Sequence, residues 1–248
     1  MVGKSPQSAA DKTLIVLEAL ADHARIADIA GAAGLPKPTV HRILQTLVQH
    51  GFARSDGQGN YVCGPRILSL AGRFLQRLDI AEQVRPILRD LQERTGWTVH
   101  LALLSGDEAV YVAKVEGAKP YHLASRVGMS LKLHCTSIGK AILATMSDDQ
   151  VAEIAARAGL PARTQNTITD APALLSELAA VRARRYAEDH EENEAGVRAV
   201  GAAVFDHTGG VIGGLSAAAL VHLAPVVEDL PAQVTAAAEA VSKALGAH

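Results

Sequence analysis

A chain of 248 residues with 48% apolar and 20% charged side chains has room for one large or two ordinary globular domains. Only 3% of residues are aromatic, so the core must come from Ala, Leu, Val and Ile, and no apolar run approaches the roughly eighteen residues of a membrane span. The formal charge of −2 conceals an asymmetry between the two parts of the chain.

The first residues, Met-Val-Gly-Lys-Ser-Pro-Gln-Ser, lack an apolar leader core, so the expected location is the cytoplasm, where the widely separated Cys63 and Cys135 would be free thiols. From Ser8 to Asp22 an apolar stripe of Leu14, Val16, Leu17, Ala19 and Leu20 predicts a first helix. Ile26 to Ala33 follows as a short helix with Ile26, Ile29, Ala30 and Ala33 inward, and Gly34 suits the strained turn after it. Pro36 and Pro38 announce a third helix, from about Pro38 to His50, stopped by Gly51. Val40, Ile43, Leu44, Leu47 and Val48 would bury it, leaving Lys37, Thr39, His41, Arg42, Gln45, Thr46 and Gln49 outward.

Phe52-Ala-Arg-Ser, Asp-Gly-Gln-Gly-Asn and Tyr61-Val-Cys then read as a tight hairpin. Helix, turn, helix and hairpin in that order form a winged helix-turn-helix, which lays its last helix in the major groove. The outward residue types fit: Arg and Lys donate to guanine, Gln pairs with adenine, and Thr meets phosphate. Candidate DNA contacts are therefore Lys37, Thr39, His41, Arg42, Gln45 and, on the wing, Arg54, with Gln58 and Asn60 at its tip. Residues 1–66 carry seven basic and five acidic side chains, whereas the rest carries 17 and 21, so the head is the basic part.

Pro65 to about Leu78 is expected to form a linker helix, with Ile67, Leu68, Leu70, Ala71, Phe74 and Leu75 packing either on a dimer partner or on their own head. The expected division is a DNA-binding domain at 1–64, a linker at 65–79 and a second domain at 80–248. Ile80 to Thr95 continues as an amphipathic helix interrupted by Pro86. Thr98 to Leu104 and Ala109 to Val115 flank Ser105-Gly-Asp-Glu as a hairpin, and Ser147-Asp-Asp-Gln is a capping box. A second hairpin joins Ala199–Phe205 to Val211–Ala219, and Val226 to Leu245 closes the chain as a helix. Strands and helices mix without regular alternation, which predicts an α+β fold.

His134-Cys-Thr-Ser-Ile-Gly-Lys leads into a helical run at Ala141. Backbone N–H groups at that helix start, with the Thr136 and Ser137 hydroxyls, could hold a carboxylate, although either hydroxyl could simply cap the helix. The acidic run Asp189, Glu191, Glu192 and Glu194 has the composition of solvated surface, with Arg198 able to pair with one member.

Gly34-Leu-Pro-Lys-Pro-Thr-Val-His-Arg-Ile-Leu-Gln-Thr-Leu, Val127-Gly-Met-Ser-Leu-Lys-Leu-His-Cys-Thr-Ser-Ile-Gly-Lys-Ala-Ile-Leu-Ala, Tyr186-Ala-Glu-Asp-His-Glu-Glu-Asn-Glu-Ala-Gly-Val-Arg and Ala203-Val-Phe-Asp-His-Thr-Gly-Gly together resemble the IclR family of bacterial transcriptional regulators over nearly the whole chain. The resemblance implies a GAF-like α/β effector domain, dimers or tetramers binding double-stranded pseudo-palindromic operators, and small organic or aromatic acids as effectors. It carries effector contacts to Ser137, Ile138, Asp189, Ala199, Ser216 and Ala218. Ala199 and Ala218 replace a Cys and a second Ser of some acid-binding members, so a bulkier, partly apolar acid is expected rather than glyoxylate.

A rival reading assembles His134, Cys135, Ser137, Asp189 and His190 into a catalytic or metal site. The chain has no Gly-x-Ser-x-Gly, paired-Cys or His-Glu-x-x-His motif, so no enzyme activity, cofactor or metal is expected.

Overall fold

The computed structural model describes residues 8–70, 80–117 and 122–247. It divides into two compact units between Leu78 and Asp79, each with its own core.

In the first unit, α1 (Ala9–Asp22) begins with a reciprocal cap: the Ser8 hydroxyl accepts from the Asp11 backbone and the Asp11 carboxylate from that of Ser8. Val16 and Leu20 pack on Ile29, Ala30 and Ala33 of α2 (Ile26–Ala33) and on Val40, Ile43, Leu44 and Leu47 of α3 (Lys37–Gln49). Gly34 joins α2 to α3 in the left-handed region, at φ 61°. Two stripe members lie outside this core: Leu14 is 58% and Val48 36% exposed. At about 100° per residue, Leu14 stands nearly opposite Val16 on its helix, and Val48 sits at the rim of its stripe. α3 also starts and ends one residue earlier than expected, with Pro36 as its cap residue and Pro38 inside the first turn.

β1 (Ala53–Ser55) and β2 (Tyr61–Cys63) form the wing. It is sewn to the connection before α2 by Tyr61 N–H donating to Ala24 O at 2.7 Å and Ile26 N–H to Gly59 O at 3.2 Å. Residues 65–70 begin a helix, α4, on which Leu68 is 75% and Leu70 41% exposed, so their own head does not cover them. The seam positions Ala71, Phe74 and Leu75 lie outside the described residues.

The second unit opens with α5 (Ile80–Thr95), which runs unbroken through Pro86 because that residue is on the exposed side of the helix. Its sheet has the order β5-β4-β3-β8-β7-β6, with every pairing antiparallel. The strands are β3 (Thr98–Ser105), β4 (Glu108–Val115), β5 (Ser130–Lys132), β6 (Ala187–His190), β7 (Val197–Phe205) and β8 (Val211–Leu220).

Side-chain alternation divides the sheet's two faces. Val99, Leu101, Val200, Ala202, Val204, Leu215 and Ala217 meet α5 and the closing helix α9 (Leu230–Ala244). The other face receives α6 (Ser137–Leu143), α7 (Asp148–Ala158) and α8 (Ala171–Arg184) around Ile138, Ile142, Leu143, Val151, Leu174 and Leu178. Fully burying each such side chain contributes roughly 1.5–3 kcal/mol. α9 starts at Leu230 rather than Val226, with Pro231 in its first turn. The fold is thus α+β, with a helical head and a sheet covered on both faces.

Candidate functional site

The amphipathic pattern of α3 leaves a polar face in the first unit. Lys37, His41, Arg42 and Gln45 are exposed and Thr39 is half-buried, while Val40, Ile43, Leu44 and Leu47 anchor the opposite side. Arg54 and Gln58 are exposed on the wing. Asn60 serves the wing itself. Asp56 Oδ1 accepts from the backbone of Gln58 at 2.7 Å and of Asn60 at 3.1 Å, and Oδ2 accepts from Asn60 Nδ2 at 2.6 Å. These bonds, the Asn60 amide first, hold the Asp56 carboxyl below its ordinary pKa.

In the second unit one small pocket is lined by Thr136, Ser137, Ile138, Asp189, Ala199, Ser216 and Ala218 together. Sheet register explains the convergence. Ala218 pairs with Ala199, which pairs with Asp189, and one step along the same face Ser216 pairs with Gly201. Above that face sits the start of α6. Thr136 caps it, accepting from Gly139 N–H at 3.1 Å while donating to Lys132 O at 2.8 Å, so its hydroxyl is committed. The Ser137 and Ser216 hydroxyls, 2% and 3% exposed as residues, have no hydrogen-bond partner among the described residues. Two unused hydroxyls and a helix start beside an apolar wall of Ile138, Ala199 and Ala218 suit an anionic group attached to an apolar body.

Sequence reading missed several contributors. His100, Tyr111, Leu123, Ser125, Asn193, Glu194 and Val197 complete the lining. Alternation along β3, which puts His100 on the same face as Ser216, was the available signal.

The acidic run is solvated only in part: Glu194 is exposed and Glu191 half-buried, but the other two members are not. Asp189 and Glu192 are only 5% and 6% exposed. Glu192 pairs with the 1%-exposed Lys140, Oε1 to Nζ at 2.5 Å. Asp189 Oδ1 accepts from the backbone of Glu192 at 2.8 Å and of Asn193 at 3.4 Å. Arg198 does not join this run. It lies on the opposite face of the sheet, its guanidinium 4.9 Å from the Trp97 ring.

Burial, reinforced by the Glu192 charge, pushes the Asp189 carboxyl up to about 6, against the backbone N–H groups and Lys140. The folded state therefore holds this proton more tightly than the unfolded chain. The group's contribution to stability is full below about pH 4 and lost as pH rises through about 6. Asp189→Asn keeps an oxygen for the two N–H groups and removes the ionisation. It should gain up to about 3 kcal/mol relative to the parent between pH 4 and pH 8. Denaturant unfolding at both pH values measures this, and a gap between the two proteins that did not change with pH would contradict it.

The rival catalytic cluster does not assemble. Cys135 is fully buried, and burial drives its thiol up to about 12, the wrong direction for a nucleophile. His134 Nε2 contacts Pro161 O at 3.2 Å, and the exposed His190 contacts Glu188 at 3.3 Å. Among the described residues, no three His, Cys, Asp or Glu side chains converge as metal ligands. No described helix is long and apolar enough to cross a membrane. A larger depression lies between α8, α9 and the end of β7, but none of the expected site residues reaches it. Its arginines already have partners: Arg182 with Ala144 O and Met146 O, Arg185 with Glu239.

Comparison with known proteins agrees with this division. The IclR helix-turn-helix domain matches residues 9–57, and the C-terminal domain of bacterial transcriptional regulator IclR matches residues 72–243. The HTH-type transcriptional regulator XynR of Escherichia coli is 35% identical over 90% of this chain and 89% of its own. Its KdgR, also a transcriptional regulator, is 32% identical over 99% and 96%. An IclR homologue from Microbacterium hydrocarbonoxydans, solved in complex with 4-hydroxybenzoate, superposes with a TM-score of 0.77 at 26% identity, covering 96% of this chain and 99% of that one. These relatives are regulators rather than enzymes, and the helix-turn-helix domain implies DNA binding. The chain belongs to the IclR family of bacterial transcriptional regulators.

Proposed function

We propose that this regulator binds a pseudo-palindromic operator as a dimer or tetramer, and that a small organic or aromatic acid held by the second unit sets its operator affinity. Lys37, Thr39, His41, Arg42, Gln45 and Arg54 meet the DNA, with paired recognition helices entering major grooves about 34–36 Å apart. The acid's anionic end meets Ser137, the backbone at Ile138 and Ser216. Its apolar body lies against Ala199 and Ala218. The observation that carries this reading is the convergence of Ser137, Ile138, Asp189, Ala199, Ser216 and Ala218 on one cavity with two unpartnered hydroxyls. The 4-hydroxybenzoate bound by the Microbacterium relative supports an acid of that size. The acid changes DNA affinity only as far as it favours one arrangement of the protein over another.

Two measurements test it. An acid panel read by thermal stabilisation should favour partly apolar acids, and glyoxylate binding more tightly than every larger acid would refute the assigned ligand. Arg42→Ala should weaken operator binding by about 1–3 kcal/mol and relax specificity at one base position. A uniform loss on all duplexes would assign Arg42 to phosphate, and no loss in a mobility shift would remove it from the interface.

A further inference from the structure

The pocket that would receive an anion holds no cation. Its lining carries two carboxylates, Asp189 and Glu194, but no lysine or arginine. The cations nearby already have partners: Lys140 Nζ has Glu192 and Glu177, Lys114 Nζ has Glu116 and the carbonyls of Leu123 and Ser125, and Arg163 Nε has Asn193 O. Asp189 Oδ1 accepts from two backbone N–H groups, whereas Oδ2 has no hydrogen-bond partner among the described residues and is not sealed from the space around it. That oxygen is left to whatever fills the pocket.

Register sets Asp189 beside a hydroxyl expected to hold the ligand's charge. A Cβ on Gly201 would come 3.0 Å from Ser137 Oγ, so Ser137 sits over Gly201. Asp189 pairs with Ala199 and Ala187 with Gly201, which makes Asp189 and Gly201 diagonal neighbours, roughly 7–8 Å apart. His100 and Tyr111, the other ionisable groups that the sheet adds to this lining, stand two and three strands away from Gly201. A carboxylate accepting from Ser137 therefore enters beside a second carboxylate, and two like charges sharing one small site do not both stay ionised. Asp189 gives way, because burial already pushes its carboxyl up to about 6 and one more proton near neutral pH costs less than the repulsion. The groups around it do not titrate there. Burial lowers His100 to about 3 and raises Tyr111 and Cys135 to about 12, Glu192 is paired with Lys140, and Glu194 is exposed to water.

Resting on the acid-binding reading above, we propose that ligand and protein share one proton: the acid enters as its anion, Asp189 takes up a proton from solution, and its Oδ2–H donates to the ligand's carboxylate. The regulator's response to its ligand is thereby tied to pH. Affinity is greatest where Asp189 is already protonated and the acid still ionised, at about pH 5, and it falls as pH rises through and beyond 6.

Calorimetry on the full chain with 4-hydroxybenzoate, and with whichever acid of the panel above stabilises it most, counts the protons when repeated in buffers of different ionisation enthalpy. The parent should take up about one proton per acid at pH 7.5 and about a tenth of one at pH 5, and its dissociation constant should rise about eightfold between pH 6.5 and pH 7.5. Asp189→Asn keeps an acceptor for both backbone N–H groups and offers an amide N–H in place of the shared proton. It should take up none, bind equally across that range, and at pH 8 bind the acid more tightly than the parent; loss of a merely attractive contact would do the reverse. The parent's proton count needs no variant and carries the test if Asp189→Asn does not fold. A parent that binds acid without proton uptake overturns the inference alone, as does uptake that survives in Asp189→Asn or binding lost there at every pH. A parent that binds no acid at all overturns the acid-binding reading and this inference with it.

Discussion

Glu192→Ala is expected to destabilise the second unit by about 3–5 kcal/mol, because it removes the nearer carboxylate from an almost fully buried charge. Lys140 is 1% exposed, and its remaining carboxylate, Glu177 Oε1, is 3.5 Å away and already accepts from Arg184 at 2.8 Å. The double replacement Lys140→Met with Glu192→Leu removes both charges and should recover most of that loss, since a buried pair gains little over apolar packing of similar volume. Trp97, the one tryptophan, is buried in this unit, so its fluorescence during denaturant unfolding reports the right transition. A single-substitution cost below about 1 kcal/mol would mean the pair is solvated, as surface pairs are. The pair also ties two walls of the cavity. Lys140 lies on α6, whose first residues line it, and Glu192 follows Asp189 by three positions. Glu192→Ala should therefore weaken ligand binding even where the unit remains folded.

The parts of the fold that sequence made legible are those whose signals are local. Gly34 before Leu-Pro, the Ser147 capping box and the glycines of the wing each specify one backbone conformation, and each appears where expected. The strands β5 and β6 went unread because three and four residues are too short for a period-2 pattern to stand out. α8 was passed over although Asp170 caps it and Pro172 occupies its first turn. Its alanine-rich sequence gives a weak apolar stripe, while its start signal was intact.

The site was legible to a different degree. Ser137, Ile138, Asp189, Ala199, Ser216 and Ala218 came from the family resemblance, and nothing in their spacing alone brings residues 137, 189 and 216 together. Strand register does that. The same register separates two neighbours of the acidic segment: Asp189 faces the cavity, whereas Arg198, next to Ala199 on β7, faces Trp97 and not the carboxylate it was expected to pair with. Burial of Glu192 was hidden for a related reason, since its partner Lys140 lies 52 residues earlier. His100 carried no functional signal in the sequence. A lone histidine in a strand has a structural role by default, and only the unpaired nitrogen distinguishes it.

Gly139→Ala should be among the most damaging small substitutions in the chain. A Cβ there would lie 2.3 Å from both Cα and O of Leu133, backbone atoms that no rotamer change can move aside. The loss should reach roughly 3 kcal/mol or more, the upper range for overpacking, with α6 displaced from the sheet. Gly31→Ala is the control. Gly31 lies within α2, and its added methyl would meet nothing within 4 Å, so the head should gain about 0.5–1 kcal/mol from the better helix former. Circular dichroism with Trp97 fluorescence separates the two units, and an unshifted tryptophan transition in Gly139→Ala would show that α6 has room to retreat. Gly201 sets the same limit from below, where a Cβ would lie 2.8 Å from Ser137 C and 2.9 Å from Ile138 N. Opened at either glycine, the helix start should move away from Ser216, and acid binding at the proposed site should weaken with it.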